Sequence, residues 1–353
     1  MSASPLRPVL GSLGLTQIRY IASVPRRRAS GLVATVYRQV ETDFGVLAPP
    51  VALHAPAPEA LAAAWVLLRE TLIVPGAAPR AVKEAVAMAV SMANACPYCA
   101  TIHNNALGAL SAAGLKGSGH DRGRAPTEAE LEEMVGWAMP ADGRARPAEL
   151  PYPAAEGIEL AGVAVLLHYF NRVVNVFLRD IPLPPGVPEL ALSPVLRVLS
   201  WVMRSAARNV PQPGRSLDLL PAAPLPKDLT WMAGSETIAE AFARACAAID
   251  EGGRRSVPEP VRDLVLDNLV DWRGHPQGIS RAWVDRLVQG LPTDQRATGR
   301  LALLVAFASY QVDERAVVSC RAEGADDRTL VELSSWAAMA AARWLGGLLP
   351  IPD

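Results

Sequence analysis

Lysine is nearly missing from this chain of 353 residues: three of its 34 basic residues are lysine (Lys83, Lys116 and Lys227) and the rest are arginine. Basic and acidic side chains leave a formal net charge of -1. That excludes both the basic face of a nucleic-acid-binding protein and an acidic tail. Cysteine is also scarce, with four residues (Cys96, Cys99, Cys246 and Cys320). So few in so long a chain do not make the disulfide framework of a secreted domain. In a reducing compartment a close pair points to catalysis or metal binding. Long apolar runs are absent too, since no segment reaches the ~18 uninterrupted apolar residues of a membrane span. The nearest approach, 160-LAGVAVLLHYFNRVVNVFL-178, is broken by His168, Asn171, Arg172 and Asn175. The N-terminal MSASPLRPVLGSLGLTQIRY lacks the basic start and roughly 7–15-residue apolar core of a signal peptide. These absences predict a cytoplasmic protein with neither a nucleic-acid nor a membrane partner.

Strand signals are missing as well. No stretch alternates cleanly at period two with β-branched enrichment, whereas apolar residues recur at three- and four-residue spacing in Ala-rich segments. Such segments include 59-EALAAAWVLLRETL-72, 128-EAELEEMVGWA-138, 235-SETIAEAFARACAAID-250 and 327-DRTLVELSSWAAMAAARWL-345. Half of the chain is hydrophobic and 20% is charged, the balance of a globular protein. The predicted fold class is therefore all-α.

Between Pro182 and Pro226, ten prolines fall in 45 residues, around one short helical piece near 195–207. This composition marks a connector between two halves. The halves look related: 81-AVKEAVAMAVSMANACPYCATIH-103 precedes 128-EAELEEMVGWA-138 as 297-ATGRLALLVAFASYQVDERAVVS-319 precedes 327-DRTLVELSSWA-337. In that register Glu84 faces Arg300, Cys96 faces Val312, Cys99 faces Arg315 and His103 faces Ser319. Trp137 and Trp336 correspond if the first half carries a 17-residue insertion around 111–127. The expected organisation is a first half over 1–180 with the chemistry, a Pro-rich connector over 181–230, and a silent second half over 231–353 packed on the first.

The chemistry concentrates where charge disappears. From Ala85 to Leu115 there is no Asp, Glu, Lys or Arg, yet Cys96, Cys99 and His103 sit inside that run and Glu84 stands at its edge. Pro97 suits the first position of a helix, which puts Cys96 near the N-cap and makes Ala93-Asn94-Ala95 a turn. Cys96 and Cys99 are then one turn apart, close enough for a disulfide, and His103 follows Cys99 on the same face. A helix N-terminus favours a thiolate. If the chain turns back near residues 94–96, Glu84 comes level with His103 and its carboxylate can hold and polarise the imidazole.

Rival readings of these residues are weaker. Cys-Pro-Tyr-Cys is also the glutaredoxin tetrapeptide, but that fold needs a strand feeding the motif, and EAVAMAVSMANA reads as helix. Zinc calls for four ligands, usually from two close pairs, and the other cysteines stand alone. Cys246 and Cys320 read as inert core thiols. His54, His120 and His275 lie in Pro- or Gly-rich loops and are expected to be solvated. His168 reads as a core histidine with Arg172 at the helix surface; the functional alternative is that it lines the mouth of the site.

Glu-x11-Cys-x2-Cys-x3-His, here Glu84, Cys96, Cys99 and His103, resembles the signature of the alkylhydroperoxidase D-like branch of the carboxymuconolactone decarboxylase superfamily. The motif covers 20 residues, and the helical layout extends the resemblance over most of the chain. It implies an all-α bundle in which the two tandem halves form a pseudo-dimer. It implies hydroperoxide or disulfide reduction, with Cys99 as nucleophile, Cys96 as resolving thiol and Glu84–His103 as proton relay. It further implies an external dithiol reductant, a lipoyl group or a thioredoxin-like protein, with no metal, flavin or haem. Self-association into a homo-oligomer is compatible with it. Some peroxidases of the family carry a second histidine just before the nucleophile; here that position is Tyr98. Two alternatives stand beside the peroxidase: a lyase like the family's namesake decarboxylase, and a redox-sensing or protein-binding module with a cysteine switch.

Overall fold

The computed structural model describes residues 6–112, 127–138, 156–181, 183, 186–206 and 210–350. Among them there is no strand, and the fold is all-α. Helices α1 (Leu6–Leu15), α2 (Gly31–Asp43), α3 (Pro49–Ala52), α4 (Pro58–Leu67), α5 (Arg80–Ala93), α6 (Pro97–Ala112), α7 (Glu128–Ala138) and α8 (Gly157–Phe177) precede the Pro-rich connector. That connector carries α9 (Leu192–Ala206). Beyond it come α10 (Glu236–Ser256), α11 (Glu259–Val270), α12 (Ala282–Leu287), α13 (Arg296–Ala308), α14 (Glu314–Ala322) and α15 (Asp327–Gly346).

Local chemistry sets the boundaries. Proline, whose missing N–H would be unpaired there anyway, opens α3 and α4. Asp313 and Asp326 cap α14 and α15 by accepting the N–H groups of Ala316 at 3.0 Å and Thr329 at 2.7 Å. One element has no counterpart in the apolar pattern: α4 runs on into a π-helical stretch, Leu68–Ile73. A π turn leaves carbonyls out of the normal ladder. Here Lys83 Nζ donates to Thr71 O at 3.1 Å and Val74 O at 3.3 Å while pairing with Glu159 at 3.0 Å.

The core sits where the two sides of the connector meet. α8 packs along α15, and α4 packs against α10. Close approach is built in, since a Cβ on Gly346 of α15 would come within 2.5 Å of Val165 of α8. α4 is apolar almost all round, as a helix that belongs inside is, and α8 is buried along nearly its whole length, its polar residues included. α8 is long and apolar enough to cross a bilayer by length and composition, but that apolar stretch is wholly buried within the protein. Each fully buried Leu, Val or Phe contributes roughly 1.5–3 kcal/mol.

Two sequence expectations are overturned. His54 is not solvated but fully buried: its Nδ1 donates to Val51 O at 3.1 Å and Tyr169 Oη meets its Nε2 at 2.8 Å. Arg172 is not at the helix surface but in the core, reaching across to the second half. Helical spacing shows which residues share a face with Arg172, and loop composition shows where His54 lies, but neither shows what covers them. His275 is half-buried, and His120 lies outside the described residues.

Candidate active site

The site is built on the turn between α5 and α6. The N–H of Ala95 bonds to Met92 O at 3.1 Å and that of Cys96 to Ser91 O at 2.9 Å, closing the end of α5 in a Schellman motif. This motif wants a left-handed residue, usually glycine; here Ala95 takes it, with φ at 49°. α6 then starts at Pro97 and doubles back against α5. The turn that the Asn94 and Pro97 chemistry predicts is the turn that forms.

The hairpin brings Glu84 and His103 together. His103 Nδ1 lies 2.7 Å from Glu84 Oε2, with Glu84 only 1% exposed. The carboxylate's other oxygen, Oε1, accepts from Arg80 Nε at 2.8 Å and Nη2 at 2.5 Å. Burial alone would raise the Glu84 carboxyl, but the charges and hydrogen bonds of Arg80 and His103 outweigh it and hold it at about 2. Arg80 is a site residue that the cysteine motif does not reveal. Its signal is the i,i+4 spacing to Glu84 on α5.

Both cysteines are buried and both are free thiols. Cys96 occupies the N-cap of α6, its carbonyl accepting the Ala100 N–H at 3.0 Å. Its thiol is pushed well up, first by burial and then by its hydrogen bond and charge interaction with the neighbouring Cys99.

Cys99, and not Cys96, opens on a cavity of ≈ 90 Å³. The α5–α6 side of its wall carries Arg80, Glu84, Tyr98, Cys99, Ile102 and His103. Facing them are apolar side chains such as Phe44, Leu68, Leu72 and Phe170. Leu68 and Leu72 come from the π-helical stretch, so that distortion shapes the wall. Tyr98 lies on the wall, where burial raises its hydroxyl and keeps it protonated. His168 does not: α8 gives the wall Leu167 and Phe170, while His168 is buried with Nδ1 3.0 Å from Asn94 Nδ2. Among the described residues no three His, Cys, Asp or Glu side chains come together as a metal site.

The arrangement sets a thiol and a carboxylate-braced imidazole on the wall of one apolar chamber. The comparisons with known proteins fit it. The model of the carboxymuconolactone decarboxylase family matches residues 59–114, the stretch that holds Glu84, Cys96, Cys99 and His103. Over 338 residues the chain is 36% identical to a Mycobacterium tuberculosis protein named alkyl hydroperoxide reductase, covering 93% of this chain and 94% of that one. No solved structure gives a significant match. By this similarity and motif the chain belongs to the carboxymuconolactone decarboxylase superfamily, in its alkylhydroperoxidase D-like branch.

Proposed function

We propose that this protein is a thiol-dependent peroxidase that reduces organic hydroperoxides through Cys99 and Cys96. One observation carries the reading: the 2.7 Å contact of Glu84 with His103 on the wall of the apolar cavity onto which Cys99 opens. The similarity to a protein named alkyl hydroperoxide reductase supports it.

His103 takes the proton of Cys99, and the resulting imidazolium is stabilised by Glu84. The Cys99 thiolate attacks the terminal peroxide oxygen, the O–O bond breaks, and the alcohol leaves with the proton from His103. Cys99 is now a sulfenic acid. Cys96 gives up its proton and attacks the Cys99 sulfur. Hydroxide leaves and takes up that proton as water, and a Cys96–Cys99 disulfide remains. An external dithiol, a lipoyl group or the active site of a thioredoxin-like protein, restores both thiols by exchange. The carbon-lined wall suits a hydroperoxide with an apolar body, and the second half serves as the packing partner of the first. We place the reaction in the cytoplasm, where such dithiols are kept reduced.

The test is peroxide consumption by the purified protein with dihydrolipoamide as donor, free thiols being counted before and after. Turnover with loss of two thiols per chain before reductant is added is the expected result. Turnover that survives Cys99→Ser would overturn the reading.

A further inference from the structure

A buried polar arrangement in the core has no part in the chemistry above. On α8, His168, Asn171, Arg172 and Asn175 follow at the spacing that puts them on one face. All four turn to one residue, Asn94, two positions before Cys96. Asn94 Nδ2 donates to Asn171 Oδ1 at 3.0 Å and lies 3.0 Å from His168 Nδ1. Arg172 Nη1 donates to Asn94 Oδ1 at 3.3 Å, and Asn175 Nδ2 to the Asn94 carbonyl at 3.4 Å. Asn171 also donates to Ser91 Oγ at 3.0 Å, and the Ser91 carbonyl holds the Cys96 N–H.

The same face reaches across to the second half. Arg172 Nε donates to Ala306 O at 2.9 Å at the end of α13, and its guanidinium lies 5.6 Å over the Trp272 ring. Asn175 Nδ2 donates to Ser309 Oγ at 3.0 Å. Arg172 is 4% exposed, and its hydrogen bonds go to neutral oxygens, those of Ala306, His168 and Asn94. A buried cation with neutral acceptors costs far more than an apolar side chain of equal volume. Packing alone would not favour it there. What it braces is the strained point of the site, the left-handed Ala95 that sets Cys96 at the head of α6.

We propose that Asn94 is a positioning residue for Cys96, and that the polar face of α8 is the strut by which the second half holds it. This rests on the peroxidase reading. Cys99 sits within α6 and needs no such brace to meet peroxide. Cys96 must sit against Cys99 when the sulfenic acid forms, and a relaxed turn would carry it away. The strut therefore governs the second step, disulfide closure, and leaves the first alone.

The experiment follows the two steps separately on the full chain. tert-Butyl hydroperoxide is mixed rapidly with the reduced protein, and the Cys99 sulfenic acid is trapped with a 1,3-diketone and counted by mass spectrometry against the Cys96–Cys99 disulfide. Asn94→Leu should oxidise at Cys99 at the unaltered rate but close the disulfide about 10²-fold more slowly, as a misplacement near 1 Å does, so that trapped sulfenic acid accumulates. Adding Ala95→Gly should restore most of the closure rate, because glycine takes the left-handed conformation unaided. Ser309→Ala, a milder change at the far end, should slow closure by roughly fivefold, the worth of one hydrogen bond. If Asn94→Leu slows both steps alike, or if Ser309→Ala folds and closes at the wild-type rate, the strut is only packing and the inference fails. An unmodified chain that forms neither sulfenic acid nor disulfide takes down the peroxidase reading itself, and this inference with it.

Discussion

Glu84 and His103 stand 19 residues apart in the chain and meet at 2.7 Å, one on each arm of the α5–α6 hairpin. The carboxylate is almost completely buried and divides its two oxygens between His103 and Arg80. Its charge is thus committed on both sides, which makes it a brace rather than a freely titrating acid.

Glu84→Gln should keep the fold and still allow the Cys96–Cys99 disulfide, but slow the reaction of Cys99 with peroxide by roughly 10²–10⁴-fold, the usual worth of acid–base assistance. His103→Ala should match it, and the double variant should be little worse than either, since the two act as a unit. Stopped-flow peroxide reduction across pH 6–9 checks this, over the range a histidine-assisted thiol governs. A wild-type rate in Glu84→Gln would leave Glu84 without a catalytic part.

Arg80 draws on the same carboxylate and so weakens its hold on the imidazolium. Replacing it by Met should leave Glu84 with His103 alone and move the midpoint of the pH–rate profile upward, whereas Glu84→Gln should move it downward. Opposite shifts are the signature to look for. Shifts in the same direction would mean that Arg80 acts on the substrate and not through Glu84.

Peroxide should remove two thiols per chain and join Cys96 to Cys99. Cys246 and Cys320 are fully buried, and burial pushes their thiols up to about 12 and about 11, so both should stay reduced. Peptide mapping of the oxidised chain decides it. Cys246 or Cys320 found in a disulfide would contradict the assignment.

Acid should unfold the protein in two windows. Burial holds His54 down at about 4 from an ordinary 6.5, so the unfolded chain takes up that proton first and stability falls as pH drops from 6.5 to 4. Glu84, held at about 2 against an ordinary 4.5, binds its proton more readily when unfolded, and its contribution is lost as pH falls from 4.5 to 2. Each loss is on the order of 3 kcal/mol. Denaturant titrations at stepped pH should show the upper slope flattened in His54→Asn and the lower one in Glu84→Gln.

Much of this was legible before any fold was known. Helical periodicity with no alternating stretch settles the all-α class, because side-chain spacing within one element is a local property. Pro97 after Asn94 settles the turn for the same reason. With the turn in place, counting residues along two antiparallel helices brings Glu84 level with His103.

The rest depends on which faces meet, and no local pattern carries that. The interruptions in the apolar run of α8 read as ordinary breaks, yet His168, Asn171, Arg172 and Asn175 converge on Asn94 once α8 lies beside the hairpin and the second half. His54 sits in a proline-rich stretch that looks solvated, until Tyr169 from α8 closes over it. The cavity wall is assembled from residues as far apart as Phe44, Leu72 and Phe170, and the π turn at Leu68–Ile73 that helps shape it follows from packing and not from composition. By itself the sequence determined the fold class, the hairpin and the meeting of Glu84 with His103 across it, all consequences of spacing along one chain. Tertiary structure alone decided the chamber, the burial of Glu84 and the strut to the second half, because burial and contact exist only once distant segments have packed.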